Sequence, residues 1–194
     1  KNTYPEINEL IKIINYIKKI KPDLIIAAGG GSVIDYAKIA NITNIEKNLK
    51  KKIITSNYGK IKKFCKLLAL PTTAGSGAEV TSNAVIYIGK IKFSVESELL
   101  KPDFFVVAPE LIVNSRKKLK ASAGFDAISQ AIESIISKKS TKKSVDFALK
   151  SLKISLKYYL EHLNNPTMNN SYKMCLAANF SGRAISISKT TAPH

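Results

Sequence analysis

The sequence predicts an α/β unit followed by an all-helical unit, on three observations. Short apolar runs suited to strands alternate with helical patterns as far as residue 109. A triple glycine separates the first such run from the helix after it. Beyond Pro109 the strand signals stop, while long helical patterns continue to the end. The break falls between Pro109 and Ser115, so the units cover 1–110 and 111–194.

From Ile7 to Ile20, the apolar residues Ile7, Leu10, Ile11, Ile14 and Ile17 recur at helical spacing, with Pro5 near the start. Lys21-Pro22-Asp23 breaks that helix. "LIIAA", Leu24 to Ala28, reads as a buried strand, and Ser32 to Asn41 as a helix. A lysine-rich stretch follows, and Leu67 to Leu70 is a second strand ended by Pro71. "NAVIYIGKIKFSV" reads as a hairpin turning at Gly89-Lys90. "FFVVA", Phe104 to Ala108, is a further buried strand closed by Pro109. Ala121 to Ser137, Lys142 to Leu163 and Asn169 to Ile187 read as helices.

The net charge of +17 raises the question of a nucleic-acid partner. The kind of basic residue argues against one. Only Arg116 and Arg183 among the 31 basic residues are arginines, whereas readers of bases and phosphates favour the planar guanidinium. The lysines read as a solvated surface. No apolar run approaches the roughly 20 residues that span a bilayer. The opening "KNTYPEINEL" lacks the apolar core of a signal peptide. Cys65 and Cys175 stand far apart without a C-x-x-C spacing, so a disulfide framework is not expected and a cytoplasmic location is.

Two stretches suggest chemistry. In "AAGGGSVIDYAK" a strand runs into consecutive glycines and then a helix, which lets backbone N–H groups and the helix dipole approach an anion such as diphosphate. It is not the G-x-G-x-x-G fingerprint. On the residues alone, Asp35 is a first-turn acid and Lys38 a surface cation. "PTTAGSGAEVT", Pro71 to Thr81, also follows a strand. Its Thr72, Thr73 and Ser76 offer hydroxyls to a ribose or phosphate, and Gly75 and Gly77 leave room for a flat ring.

Together "GGGSVIDYAK" and "PTTAGSGAEVT" resemble the paired signatures of the iron-containing (group III) alcohol dehydrogenases. "GFDAISQAIES" resembles that family's helical metal motif, and "AANFSGRAISISKTTAPH" the segment carrying its next metal ligand. The resemblance implies an α/β dinucleotide-binding domain followed by an all-α helical domain, the dehydroquinate synthase-like fold, with the active site between them. It also implies that both domains are incomplete here, the chain being a central fragment. It makes Gly29, Gly30, Gly31, Ser32, Asp35, Thr72, Thr73, Ser76 and Lys92 candidates for binding NAD or NADP. A Gly30→Val change is then expected to weaken the cofactor sharply, and the isolated chain to be poorly soluble.

In that family an Asp and three His residues hold a divalent metal, most often Fe2+ or Zn2+. The resemblance assigns Asp126 and His194 to it, but the histidine one turn after Asp126 is replaced by Gln130. An amide oxygen is a weaker ligand for such metals than imidazole. His162 matches no motif and reads as a solvated residue near a helix end. Glu133 reads as a packing or ion-pair residue, and Lys189 as a helix-end lysine with a conceivable role in steadying an alkoxide. Gln130 and "KTTAPH" are similar to a subgroup that includes phosphonoacetaldehyde reductases. The activity implied is hydride transfer between NAD(P)H and a small aldehyde or alcohol, with an anionic aldehyde suited to a lysine-rich cleft. A homo-oligomer is compatible with it; a nucleic-acid or membrane partner is not expected. The alternatives are a dehydroquinate synthase-like cyclase and a non-catalytic remnant.

Overall fold

The computed structural model describes residues 4–43 and 48–191. The chain runs α1 (Ile7–Ile20), β1 (Leu24–Gly29), α2 (Gly31–Ala40), β2 (Ile42–Thr43), α3 (Leu49–Ile54), β3 (Lys62–Lys63) and β4 (Lys66–Pro71). The hairpin β5 (Asn83–Ile88) and β6 (Ile91–Glu96) follows, then a 3-10 turn (Glu98–Leu100) and β7 (Phe104–Phe105). From there it is helical: α4 (Glu110–Val113), α5 (Lys117–Ile136), α6 (Lys142–Asn164) and α7 (Met168–Ser188). The expected class holds: a parallel sheet with helices, then a helical region.

The central sheet has the order β1-β4-β7, all parallel, with Ala27 opposite Ala69 and Leu68 opposite Phe104. Parallel neighbours need a crossover, and α2 supplies the packed part of it. Ala27, Ile34, Ala37, Leu67, Ala69 and Ala78 form the seam between α2 and the sheet. The amphipathic stripe of α1 works as its spacing implies. Ile7, Leu10, Ile14 and Ile17 enter a core with Ile39, Ile42, Ile53, Ile86 and Val95, while Ile11 is exposed and Ile13 packs against the core instead. The helix stops because Lys21 adopts the left-handed conformation and Pro22 cannot continue it.

Two strands differ from expectation. β1 and "FFVVA" read as buried on all sides, yet Ile26 is 60% exposed, and Leu24, Phe104 and Val106 are also exposed. β1 and β7 are the outer strands of the sheet among the described residues, and α2 covers only one face of β1. Pairing in the last strand is limited to Phe104 and Phe105. The hairpin forms as expected, and Gly89 takes a positive φ at its turn, which glycine does without a steric penalty. The lysine-rich stretch holds α3 and the small antiparallel pair β2-β3, which sequence pattern did not indicate.

In the helical region α5, α6 and α7 pack through small residues. Ala131, Ala148 and Ala184 meet in one cluster, and Ser134, Ser151, Ser155 and Ser181 are buried alongside. Short side chains let the helix backbones approach closely. Ser151 donates to the Ala177 carbonyl at 2.8 Å, satisfying its hydroxyl within that seam. α6 and α7 both open on capping boxes, Thr141 with Ser144 and Thr167 with Asn170, each contributing about 1 kcal/mol. No helix among the described residues is long and apolar enough to cross a membrane.

Candidate functional site

The glycine turn lies where the parallel strands end. Thr72 donates its backbone N–H to the Gly29 carbonyl at 2.9 Å, so the carboxyl ends of β1 and β4 are tied side by side. Open α/β sheets place ligands beyond that edge. The three glycines have different reasons. A Cβ on Gly29 would lie 2.5 Å from the Val33 side chain, and one on Gly31 2.8 Å from Ser76 Oγ. A Cβ on Gly30 would meet only the Thr73 side chain, at 3.5 Å, and Gly30 has an ordinary extended backbone at the N-cap of α2. Gly30 therefore keeps the cleft open rather than the fold closed.

Gly30, Gly31 and Ser32 line a cleft of about 640 Å3 together with Asp35, Thr73, Ser76, Lys92 and Asp126. An adjoining cavity of about 470 Å3 shares Asp35, Ser76, Lys92 and Asp126 with it, and adds Gln130 and Lys189. The two cavities share a wall, and between them they reach from the start of α2 to the middle of α5. The structure brings most of the residues singled out in the sequence onto them. Gly29 and Thr72 line neither; their backbone bond ties the ends of β1 and β4 together. His194 lies outside the described residues.

Gly75 lines the cleft as the sequence suggests, whereas Gly77 does not, so for Gly77 the expectation of room for a flat ring is corrected. Both are buried and pack on helices: a Cβ on Gly75 would lie 2.8 Å from the Ala123 carbonyl oxygen of α5. At Gly77, with φ +60°, a Cβ would lie 2.6 Å from both the Ala178 carbonyl oxygen and Gly182 Cα of α7. These glycines let the loop press against both helices, which is how the threonine loop is joined to the helical region.

Lys38 is likewise not a surface cation. It is fully buried, donating from Nζ to Thr81 Oγ1 at 2.8 Å and to the Asn83 carbonyl at 3.0 Å. Burial lowers its pKa to about 8, against the pull of Asp35 and Glu79. Asp35 Oδ1 lies 3.9 Å from that amine, and Asp35 Oδ2 accepts the Val85 N–H at 3.0 Å. Burial raises the Asp35 pKa to about 6 even so; Lys38, Val85 and Lys92 pull the other way. Glu79, also buried, accepts from Asn179 Nδ2 at 2.9 Å, and Arg183 donates from Nε to Asn179 Oδ1 at 2.8 Å. Burial pushes the Glu79 pKa up. Neither Glu79 nor Asn179 stood out in the sequence.

Asp35 sets a pH dependence. The native state keeps its proton up to about pH 6, whereas the unfolded chain releases it near 3.8. Stability therefore falls as pH rises through that window. The variant Asp35→Asn is expected to remove this fall, on the order of 3 kcal/mol. Urea midpoints measured across the window in both proteins check it, and equal slopes would contradict it. Lys38 acts at the other end: stability is regained as pH rises from about 8 towards 10.5.

On the adjoining cavity, Asp126 and Gln130 stand one turn apart on α5. Gln130 is 3% exposed, and its Oε1 accepts from Ser181 Oγ of α7 at 3.4 Å. These are two oxygen donors on one cavity, which fits part of a coordination shell. No group of three or more His, Cys, Asp and Glu residues is placed to hold a metal among the described residues. His162 is not such a donor, and it is not solvated. It is 1% exposed, its Nδ1 lies 3.2 Å from Ser171 Oγ, and burial lowers its pKa. Glu133 Oε2 accepts both the N–H and the hydroxyl of Thr191, at 2.8 and 2.9 Å, and so anchors the chain after α7.

Residues 2–109 match the family described as "Iron-containing alcohol dehydrogenase". An alcohol dehydrogenase of Thermococcus barophilus is 31% identical over 79% of this chain, and a 1-propanol dehydrogenase of Citrobacter freundii is 31% identical over 79%. Among solved structures, a sulfoacetaldehyde reductase from Bifidobacterium kashiwanohense in complex with NAD+ superposes over the whole chain with a TM-score of 0.90 and 30% identity. An iron-containing alcohol dehydrogenase from Thermotoga maritima superposes over 98% of it, with a TM-score of 0.86 at 24% identity, sharing the fold. The chain spans 42% and 39% of those two curated relatives and 52% of each of those two structures. With a family match over more than half of its residues, the chain belongs to the iron-containing alcohol dehydrogenases.

Proposed function

We propose that the full-length protein transfers hydride between NAD(P)H and a small aldehyde or its alcohol. The observation that carries this reading is the glycine turn at the start of α2, which opens onto a cleft that Asp126 also lines, with Gln130 on the adjoining cavity. A bound reduced nicotinamide would supply the hydride for the carbonyl carbon, and the carbonyl oxygen would take up a proton. The backbone at Gly30, Gly31 and Ser32 would receive the pyrophosphate, helped by the positive end of α2. Thr73 and Ser76 offer hydroxyls, and Lys92 a charge, to the rest of the cofactor. A divalent metal held by Asp126, Gln130 and His194 would withdraw charge from the substrate oxygen.

The finer reading is that the aldehyde is anionic, of the phosphonoacetaldehyde type. The similarity to a sulfoacetaldehyde reductase supports it, since a sulfonate and a phosphonate present similar anionic oxygens. Loss of reduced nicotinamide on adding an aldehyde to the full-length protein tests the activity. Phosphate release from a sugar phosphate, without net consumption of the nicotinamide, would instead support a cyclase.

The Gln130→His variant is expected to bind Zn2+ or Fe2+ about tenfold more tightly, because imidazole donates more strongly than an amide. Metal titrations of both full-length proteins check this. Weaker binding by the histidine variant would show Gln130 to be fitted to a different site.

A further inference from the structure

Lys189 ends α7 with φ 62° and ψ 175°. That combination is essentially reserved to glycine, and a side-chain-bearing residue persists there only when its surroundings impose it. The surroundings do so. The Lys189 N–H is held by the Ile185 carbonyl at 2.9 Å, and Ser137 Oγ donates to the preceding Ser188 carbonyl at 2.6 Å. Ser188 Oγ lies 2.7 Å from Ser134 Oγ, and Thr191 is clamped by Glu133. α5 therefore fixes the end of α7 from both sides of Lys189.

The fold does not need a lysine side chain at this point. Its ion-pair partner is Glu96 at the end of β6, at 3.1 Å, with the Glu96 side chain 53% exposed. A pair so accessible to water contributes little to stability. The side chain does line the cavity that holds Asp126 and Gln130, beside Ser76 and Ser94. The other lysine on this cavity, Lys92, also lines the cleft at the glycine turn, whereas Lys189 lines only the Gln130 end. The acids there are Asp35, which faces the buried Lys38, Asp126, and Glu96. Glu96 already holds the Lys189 ammonium and is exposed enough to release it to another anion.

We propose that Lys189 is a specificity-determining residue, which receives the anionic end of a small aldehyde substrate in exchange for Glu96. This rests on the hydride-transfer reading for the substrate but not for the binding of the anion. The test uses the full-length protein and its variants Lys189→Gln, Lys189→Arg and Lys189→Gly. Two readouts are compared: kcat/KM for sulfoacetaldehyde against uncharged propanal, and calorimetric binding of hydroxyethanesulfonate. Losing one charge-assisted contact is expected to cut the preference for sulfoacetaldehyde about 30-fold in the Gln and Gly variants, mainly through KM, with kcat/KM for propanal changing much less than that for sulfoacetaldehyde. Hydroxyethanesulfonate binding should fall in parallel, and Arg should restore part of both. The Gly variant should also unfold at higher urea than the wild type, since the conformation suits glycine. If neither aldehyde is reduced but sulfonate binding still depends on Lys189, the hydride reading fails and the anion site stands. If sulfonate binding and substrate preference are unchanged in Lys189→Gln, the proposal is overturned.

Discussion

A Gly30→Val substitution is expected to raise the Kd of the full-length protein for NADH or NADPH by at least about 100-fold, a loss of about 2.7 kcal/mol. The reason is local. Gly30 is the one glycine of the turn whose added Cβ meets no neighbour closer than 3.5 Å, so the chain still folds around it. Its backbone is extended, with φ −74°, a value that valine adopts without strain. The new side chain instead occupies the mouth of the cleft, where a pyrophosphate would meet the first N–H groups of α2. Fluorescence titration of the reduced cofactor measures it, and Gly30→Ala should show a smaller loss. Unchanged affinity in a folded Gly30→Val protein would remove the glycine turn from the binding site.

The largest effect on stability is expected at Gly77. An alanine there needs a positive φ and places its Cβ 2.6 Å from the backbone of α7, at the Ala178 oxygen and Gly182 Cα. Neither backbone atom can turn aside as a flexible side chain does. The expected cost is on the order of 3 kcal/mol or more, strain and overpacking together. Gly89 provides the control. It has a similar φ of +62° but nothing within 4 Å of its Cβ position, so Gly89→Ala should cost only about 1 kcal/mol. Urea unfolding of both variants separates packing from backbone strain. Equal losses would mean that the loop and α7 are not pressed together as described.

Local pattern made much of the fold legible. α1 begins and ends at Ile7 and Ile20 because its apolar stripe has a clear period and Pro22 stops it. The start of α5 was less legible: the helix begins at Lys117, but its first turn is rich in lysine and carries no apolar period. The strand ends were harder for another reason. A short apolar run looks the same whether one face or both are covered, so Ile26 and Phe104 read as buried although both are exposed.

The candidate site shows the same division. Its glycines, threonines and carboxylates carry recognisable spacing, yet Gly75 and Gly77 answer to helix packing, which is a tertiary fact. Two buried polar residues did leave a signal. Lys38 lies on the stripe of Ile34 and Ala37, and His162 continues the buried row Ala148, Ser151 and Ser155 of α6. Position on an apolar or small-residue face, rather than residue type, marks such groups as internal. The Glu79–Asn179 bond joins residues 100 apart, and local pattern carries no trace of such a pair.

Hydride transfer itself is measured most directly by isotope. The full-length protein is given a small aldehyde and reduced nicotinamide carrying deuterium at the transferable C4 position, and the alcohol formed is weighed by mass spectrometry. The account predicts one deuterium on the carbinol carbon for each nicotinamide oxidised. Alcohol formed without that deuterium would contradict it, as would an aldehyde left unreduced by a protein shown to bind the cofactor.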